Sequence, residues 1–259
     1  MPAPFFSRIC YHIPLPAKGV RLFDIQAFLH RISIEAVPLI LAITFHEAAH
    51  GYVAMKKGDP TAKMLGRVTL NPIAHIDPVG TILLPAILIL TRSPFLFGWA
   101  KPVPVNFRLL RDQKRDPIYV ASAGVVTNFA LAALSGLLFR LIGMLDPAVV
   151  RDVFFSGVHS QAEGTAQMVL LPLALMCVAS IKWNVLLAIF NLIPIPPLDG
   201  GRIAVGLLPF RASQALASIE RYGMLILIFL FMFDPLGIIR GIVYPLMRLL
   251  FAVFLGGIP

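Results

Sequence analysis

The chain has 259 residues, of which 58% are hydrophobic and 14% charged, against about 45–50% apolar and about 25% charged in a soluble domain. That composition excludes intrinsic disorder, and two cysteines, Cys10 and Cys177, are too few for a disulfide-stapled secreted domain. A net charge of +9 without any motif that reads bases points to Lys- and Arg-rich loops beside a lipid bilayer, and nucleic acid is not expected as a partner.

Residues 1–33 carry Arg8, Lys18, Arg21 and Arg31 among prolines, without the compact apolar core of a cleavable signal peptide. Leu22, Ile25, Phe28 and Leu29 form one face of a short interfacial helix. Ala36 to Met55 is then an apolar run of 20 residues whose one formal charge is Glu47, enough to cross about 30 Å of hydrocarbon. Residues 56–77 alternate turns with a β-like run, Gly66-Arg67-Val68-Thr69-Leu70, followed by Asn71-Pro72. Pro78 to Thr91 is a run of 14 residues broken by Pro85, a length that suits a re-entrant segment. The prolines in Gly98-Trp99-Ala100-Lys101-Pro102-Val103-Pro104-Val105-Asn106 rule out a helix and favour an extended edge. Pro117–Phe139 and Met168–Leu198 are the next long apolar runs, the latter holding one charge, Lys182; the stretch from Tyr222 is punctuated by Asp234, Pro235, Arg240 and Arg248. The expected architecture is an all-α polytopic membrane protein. It is a bundle of about 4–6 transmembrane helices with a short re-entrant, β-like insertion after the first crossing. Its parts are an N-terminal interfacial segment (1–33), a core (34–210) and C-terminal helices (211–259).

The first run contains Thr44-Phe45-His46-Glu47-Ala48-Ala49-His50. Four residues apart on a helix, the His46 and His50 imidazoles project from one face. They can bind a single Zn²⁺ while Glu47 reaches a metal-bound water. Zinc lowers the pKa of that water from near 16 to about 7, and Glu47 can take its proton as general base. A helix surface with two solvated histidines is the ordinary alternative. Near mid-membrane, however, each ionisable residue costs about 2.5–3.5 kcal/mol, and a shared metal gives three of them a reason to be there. Catalytic zinc takes three protein ligands and keeps a fourth position open. Asp199 at the end of the fourth run is the expected third ligand: it follows Pro194, Pro196 and Pro197 and precedes Gly200 and Gly201, so the backbone there must unwind. Unwound backbone at membrane depth is tolerated only beside protein or a water-filled cavity.

With these residues assembled, the chain resembles the site-2 proteases, intramembrane zinc metalloproteases, in their compact form without an extra regulatory domain. That family pairs a membrane-embedded His-Glu-x-x-His with a later Asn-x-x-Pro-x-x-x-x-Asp-Gly, present here as His46–His50 and Asn191–Gly200. The similarity extends through Gly58-Asp59-Pro60, Leu70-Asn71-Pro72, His75-Ile76-Asp77-Pro78 and Gly98–Asn106. The resemblance implies that His46, His50 and Asp199 bind one Zn²⁺, that Glu47 is the catalytic acid/base, and that Asn191 and Pro194 position the substrate. Where the family commonly shows Ala-Gly-Pro-x-x-Asn, this chain has Ala123-Gly124-Val125-Val126-Thr127-Asn128.

Topology adds an independent constraint. For His50 and Asp199 to meet, an even number of crossings must separate them; the runs at 117–139 and 168–198 are two, so 78–98 must not cross. Residues 56–116 then share one side, with ten basic and four acidic residues, while 144–167 on the other carry Arg151 against Asp146, Asp152 and Glu163. The basic side is cytoplasmic, which puts the metal toward that face of a cell membrane. The four basic residues of 1–33 oppose this unless that segment folds along the inner surface. Lys182 reads as an interfacial or bundle-paired lysine, His75 as a loop histidine bonded to backbone, and Trp99 and Tyr119 as interfacial anchors.

The expected function is hydrolysis of peptide bonds within or next to transmembrane segments of membrane-protein substrates. The substrate helix must first unwind, and 66–72 or 101–106 is the edge that pairs with it; Asn191 donates to the developing oxyanion. A metal transporter or a proteolytically silent zinc-binding scaffold are the alternatives. The former calls for further charges along a path, absent from 117–139; the latter should lack the base, and Glu47 is present.

Overall fold

A computed structural model describes residues 25–91, 98–155, 165–234 and 237–257. Helix α1 (Ile25–Lys56) is continuous across the expected boundary at residue 33; the expected helical face at Leu22 and the rest of 1–24 lie outside the described residues. A single turn, α2 (Thr61–Met64), and a 3₁₀ turn at Pro72–His75 lead to a π-helical turn, Pro78–Leu83, that continues as α3 (Leu84–Leu90). Both turns start as the sequence dictates: Asn71 accepts from the Ile73 amide and Asp77 from the Val79 and Gly80 amides, each with proline next, the capping arrangement that satisfies first-turn donors. The long helix α4 (Asp116–Leu145) is followed by α5 (Pro147–Phe155), α6 (Thr165–Asn191), α7 (Asp199–Leu207), α8 (Phe210–Ser218) and α9 (Glu220–Phe233). A π turn, Ile239–Val243, then enters α10 (Tyr244–Leu255).

Helices α1, α4 and α6 form the centre. On α4 the buried positions, Ala121, Gly124, Val125, Asn128, Ala132, Ser135, Gly136 and Phe139, repeat every three to four residues, a single stripe of a 3.6-residue helix. Most of these are small, so the backbones approach closely, as helices packed in lipid do. Between them Val126, Leu134, Leu137 and Leu141 are exposed, the face left for lipid. The apolar core gathers Phe139, Leu171, Val178, Ile181 and Val185 with Val243, Met247, Phe251 and Leu255, so α10 closes one side of the bundle.

Among the described residues three helices are long and apolar enough to cross a membrane, α1 over Ile32–Lys56, α4, and α6 over Ala166–Asn191; a fourth arises if α8 and α9, bent by 65°, form one span. This is fewer than the upper range expected because the C-terminal apolar stretch is divided. At 14 residues, α9 is about 21 Å long, short of about 30 Å of hydrocarbon. The β-like character of 66–70 is corrected as well: no described residue is in a strand. The segment's polar groups find local partners instead, the Arg67 amide on the Ala62 carbonyl at 2.8 Å and the Thr69 carbonyl on His75 Nε2 at 3.0 Å. Beyond α3, the chain at 98–101 lies beside the start of the π turn. The Trp99 amide donates to the Gly80 carbonyl at 3.1 Å and the Lys101 amide to the His75 carbonyl at 3.0 Å.

Candidate active site

His46 and His50 sit one turn apart in the last third of α1, and Asp199 is the first residue of α7; all three are buried. The bent segment 192–198 delivers Asp199, and Gly200 and Gly201 permit it. A Cβ on Gly200 would run into the Leu192 carbonyl, and one on Gly201 into the Pro196 nitrogen. Across from them Gly124 of α4 lies flat against both imidazoles. A Cβ there would come within 2.5 Å of His46 Cε1 and 2.6 Å of His50 Nε2, so only glycine lets α4 approach.

The outer ring nitrogens determine the tautomers. His46 Nδ1 lies 2.5 Å from Asn128 Oδ1 and His50 Nδ1 lies 2.7 Å from the Val120 carbonyl. Amide and peptide oxygens only accept, so both Nδ1 atoms carry the hydrogen and both Nε2 atoms present bare lone pairs. Those two Nε2 atoms are 3.0 Å apart and lie 3.2 and 3.3 Å from Asp199 Oδ2. Asp199 Oδ2 is buried and has no hydrogen-bond partner. Three electron-rich atoms thus converge with no donor among them, which costs free energy unless a cation sits between. Zinc fits: bonds of about 2.0–2.2 Å at tetrahedral angles put ligand atoms about 3.3–3.5 Å apart. His46, His50 and Asp199 are placed to hold one metal ion, and the Nδ1–H bonds orient the rings as outer partners of metal-binding histidines do.

Glu47 shares with these ligands a cavity of about 130 Å³, lined also by Pro102, Val103, Val105, Asn191, Pro197 and Arg202. Its Oε2 accepts from the Val103 amide at 2.7 Å. The strap that carries Val103 is held at both ends by buried side chains. Arg67 Nη2 donates to the Lys101 and Pro102 carbonyls at 2.7 and 3.3 Å, and Asp59 Oδ2 accepts from the Asn106 amide at 2.6 Å. Asn191 faces the cavity with one amide hydrogen on the Leu187 carbonyl at 3.0 Å, leaving its second hydrogen to donate. Pro194 is exposed and Pro197 takes a place in the lining instead. His75 does not approach the site; its Nε2 is bonded to backbone. Lys182 is paired within the bundle with Glu35.

Sequence reasoning assigned no role to Asn128, Gly124, Arg67 or the Val103 amide. Asn128 had a readable signal, an amide in the middle of a 23-residue uncharged apolar run, where a polar side chain needs a partner. The replacement of the family's proline by Val125 leaves α4 unbroken, and Asn128 still reaches His46.

Comparison with known proteins agrees with this chemistry. Residues 34–233 match the model of Peptidase family M50. The chain is 39% identical over 207 residues to the protein named "Putative zinc metalloprotease YwhC" of Bacillus subtilis, covering 78% of this chain and 80% of that one. It is 29% identical over 192 residues to "Putative zinc metalloprotease Rip2" of Mycolicibacterium smegmatis, covering 74% and 63%. No solved structure matches the chain. The chain belongs to peptidase family M50, the site-2 protease family of zinc metalloproteases.

Proposed function

We propose that this protein is a zinc-dependent intramembrane endopeptidase that hydrolyses peptide bonds within or next to transmembrane segments of other membrane proteins. The observation that carries this reading is the depth of the ligand set. Two ligands and the amide that orients one of them lie inside helices of membrane-crossing length. Zinc, when bound, supplies Lewis acidity toward a carbonyl and lowers the pKa of a water to about 7. Glu47 takes the proton and returns it to the leaving amine, and the free Asn191 N–H stabilises the oxyanion. Of the two candidate edges, 101–106 lines the cavity beside Glu47 and 66–72 does not, which favours 101–106 as the segment that pairs with an unwound substrate. The cavity of about 130 Å³ is below the usual 300–1,000 Å³ of ligand pockets, so its lining must open further to take an extended substrate.

The active site faces the cytoplasm of a cell membrane. Two long helices, α4 and α6, separate His50 from Asp199, which keeps both on one side if 78–98 is re-entrant. The pairing of Trp99 and Lys101 with Gly80 and His75 supports that return. The same side then holds the excess of Lys and Arg in 56–116.

Mass spectrometry of membrane proteins from cells carrying the wild type or Glu47→Gln tests the reading. Glu47→Gln abolishes cleavage of the native substrates while zinc stays bound, and undiminished turnover removes Glu47 from the mechanism. A transporter would instead move zinc in vesicles and leave the membrane proteome intact.

A further inference from the structure

Behind the zinc ligands a hydrogen-bonded chain of side chains runs between α4 and α6 that the peptidase chemistry does not use. Asn128, fully buried, donates from Nδ2 to Asn184 Oδ1 at 2.8 Å. Asn184, 1% exposed, donates from Nδ2 to the Ser180 carbonyl at 2.9 Å and touches Ser180 Oγ at 3.2 Å. Ser135 Oγ closes the chain on Ser180 Oγ at 2.8 Å.

The chain has a direction. A peptide carbonyl can only accept, so the Ser180 carbonyl fixes which end of the Asn184 amide faces it and turns Oδ1 toward Asn128. That oxygen draws the Asn128 NH₂, which turns Asn128 Oδ1 toward His46. The oxygen in turn requires hydrogen on His46 Nδ1 and leaves Nε2 bare for the metal. Without the Asn184 oxygen, Asn128 keeps one weaker tether, a 3.4 Å contact from Nδ2 to the Ala42 carbonyl inside α1. A flip of its amide then offers hydrogens to His46 Nδ1 and places the imidazole hydrogen on Nε2, where it blocks metal binding. His50 is independent of the chain, because its Nδ1 bonds directly to the Val120 backbone.

We infer that Asn184, aimed by the Ser180 carbonyl and acting through Asn128, selects the metal-binding tautomer of His46, which makes it a positioning residue of the zinc site. The inference needs the metal site alone and is independent of what the enzyme cleaves.

The test uses the full chain in lipid nanodiscs with ¹⁵N-labelled histidine. Ring ¹⁵N shifts are read without metal, the His46 and His50 signals are identified as a pair by their response to added zinc and told apart by their loss in His46→Gln and His50→Gln, and zinc affinity is measured by chelator competition. In the zinc-free wild type both residues are Nδ1–H tautomers. Asn184→Leu moves His46 toward the Nε2–H form, leaves His50 unchanged, and weakens zinc by about 10–100-fold, the range for loss of an outer partner. Asn184→Asp, held protonated by this buried apolar setting so that its hydroxyl donates to the Ser180 carbonyl, keeps an oxygen toward Asn128 and retains affinity close to the wild type. Equal shifts in both histidines, or unchanged zinc affinity in Asn184→Leu, overturn the inference. An Nε2–H His46 in the zinc-free wild type overturns it without any variant. These outcomes are read without proteolysis, so they stand apart from the Glu47→Gln experiment.

Discussion

Two polar clusters tie α1 to the α6 region of the same apolar bundle, and they differ in their balance of donors and acceptors. In the first, Glu35 of α1 receives Lys182 Nζ at 2.5 and 2.6 Å and Trp183 Nε1 at 2.7 Å from α6. Its cation is covalently part of the chain and its acceptors are met. In the second, His46, His50 and Asp199 bring three acceptors together and no donor, and Asp199 Oδ2 is left without a partner. Both set ionisable side chains on helices of membrane-crossing length. The missing positive charge is what separates a cluster placed to hold a metal ion from a structural one.

The comparison breaks most visibly at Asp199. Asp199→Asn weakens zinc by more than about 100-fold, beyond the loss typical of an outer partner, yet leaves the zinc-free protein at least as stable, because an amide can donate to a bare imidazole nitrogen. Unaltered zinc content measured by plasma emission would argue against direct ligation. Next in size is zinc itself. At a concentration about 100 times its Kd it stabilises the wild type by about 2.7 kcal/mol, seen as a shift in thermal unfolding that a zinc-selective chelator reverses and that Asp199→Asn lacks. Glu35→Ala acts on the other cluster: it costs about 1–3 kcal/mol, below the usual range for a broken buried pair because Glu35 is about one-third exposed. It does so with or without zinc and does not change zinc affinity. A fall in zinc affinity in Glu35→Ala would show that the two clusters are one system. The smallest effect is at the strap. Val103→Pro deletes the amide on Glu47 and lowers cleavage efficiency by about 1 kcal/mol with zinc retained, and equal kcat/KM in the two proteins would deny that contact a role.

Much of the centre was legible beforehand, for a reason the residues make plain. His46, Glu47 and His50 announce themselves because a lipid-length run penalises each ionisable group, so their presence demands an explanation in the sequence itself; Asp199 was marked by the prolines before it and the glycines after it. Lys182 was legible in kind, as a bundle-paired lysine, but its partner Glu35 stood just outside the first apolar run. The strap at 101–106 followed from its prolines. The run at 66–70 misled, since alternation of side chains describes a strand only where a second chain offers a ladder, and here its own turn took the bonds. The C-terminal crossings were not countable from the apolar stretch alone, because a fourth span arises only if α8 and α9, bent by 65°, cross together.

Composition, run lengths and the spacing of four residues pointed to a metal held within a membrane, and the resemblance of the paired motifs added the metalloprotease and the full ligand set; these features are local or are set by the cost of charge in hydrocarbon. Direction is not local: which nitrogen of His46 carries hydrogen, which helix glycine admits the imidazoles, and which amide rests on Glu47 depend on partners 56 to 82 residues away. Hydrogen bonds act over about 3 Å, so only the packing of α4, α6 and the strap around α1 could decide them.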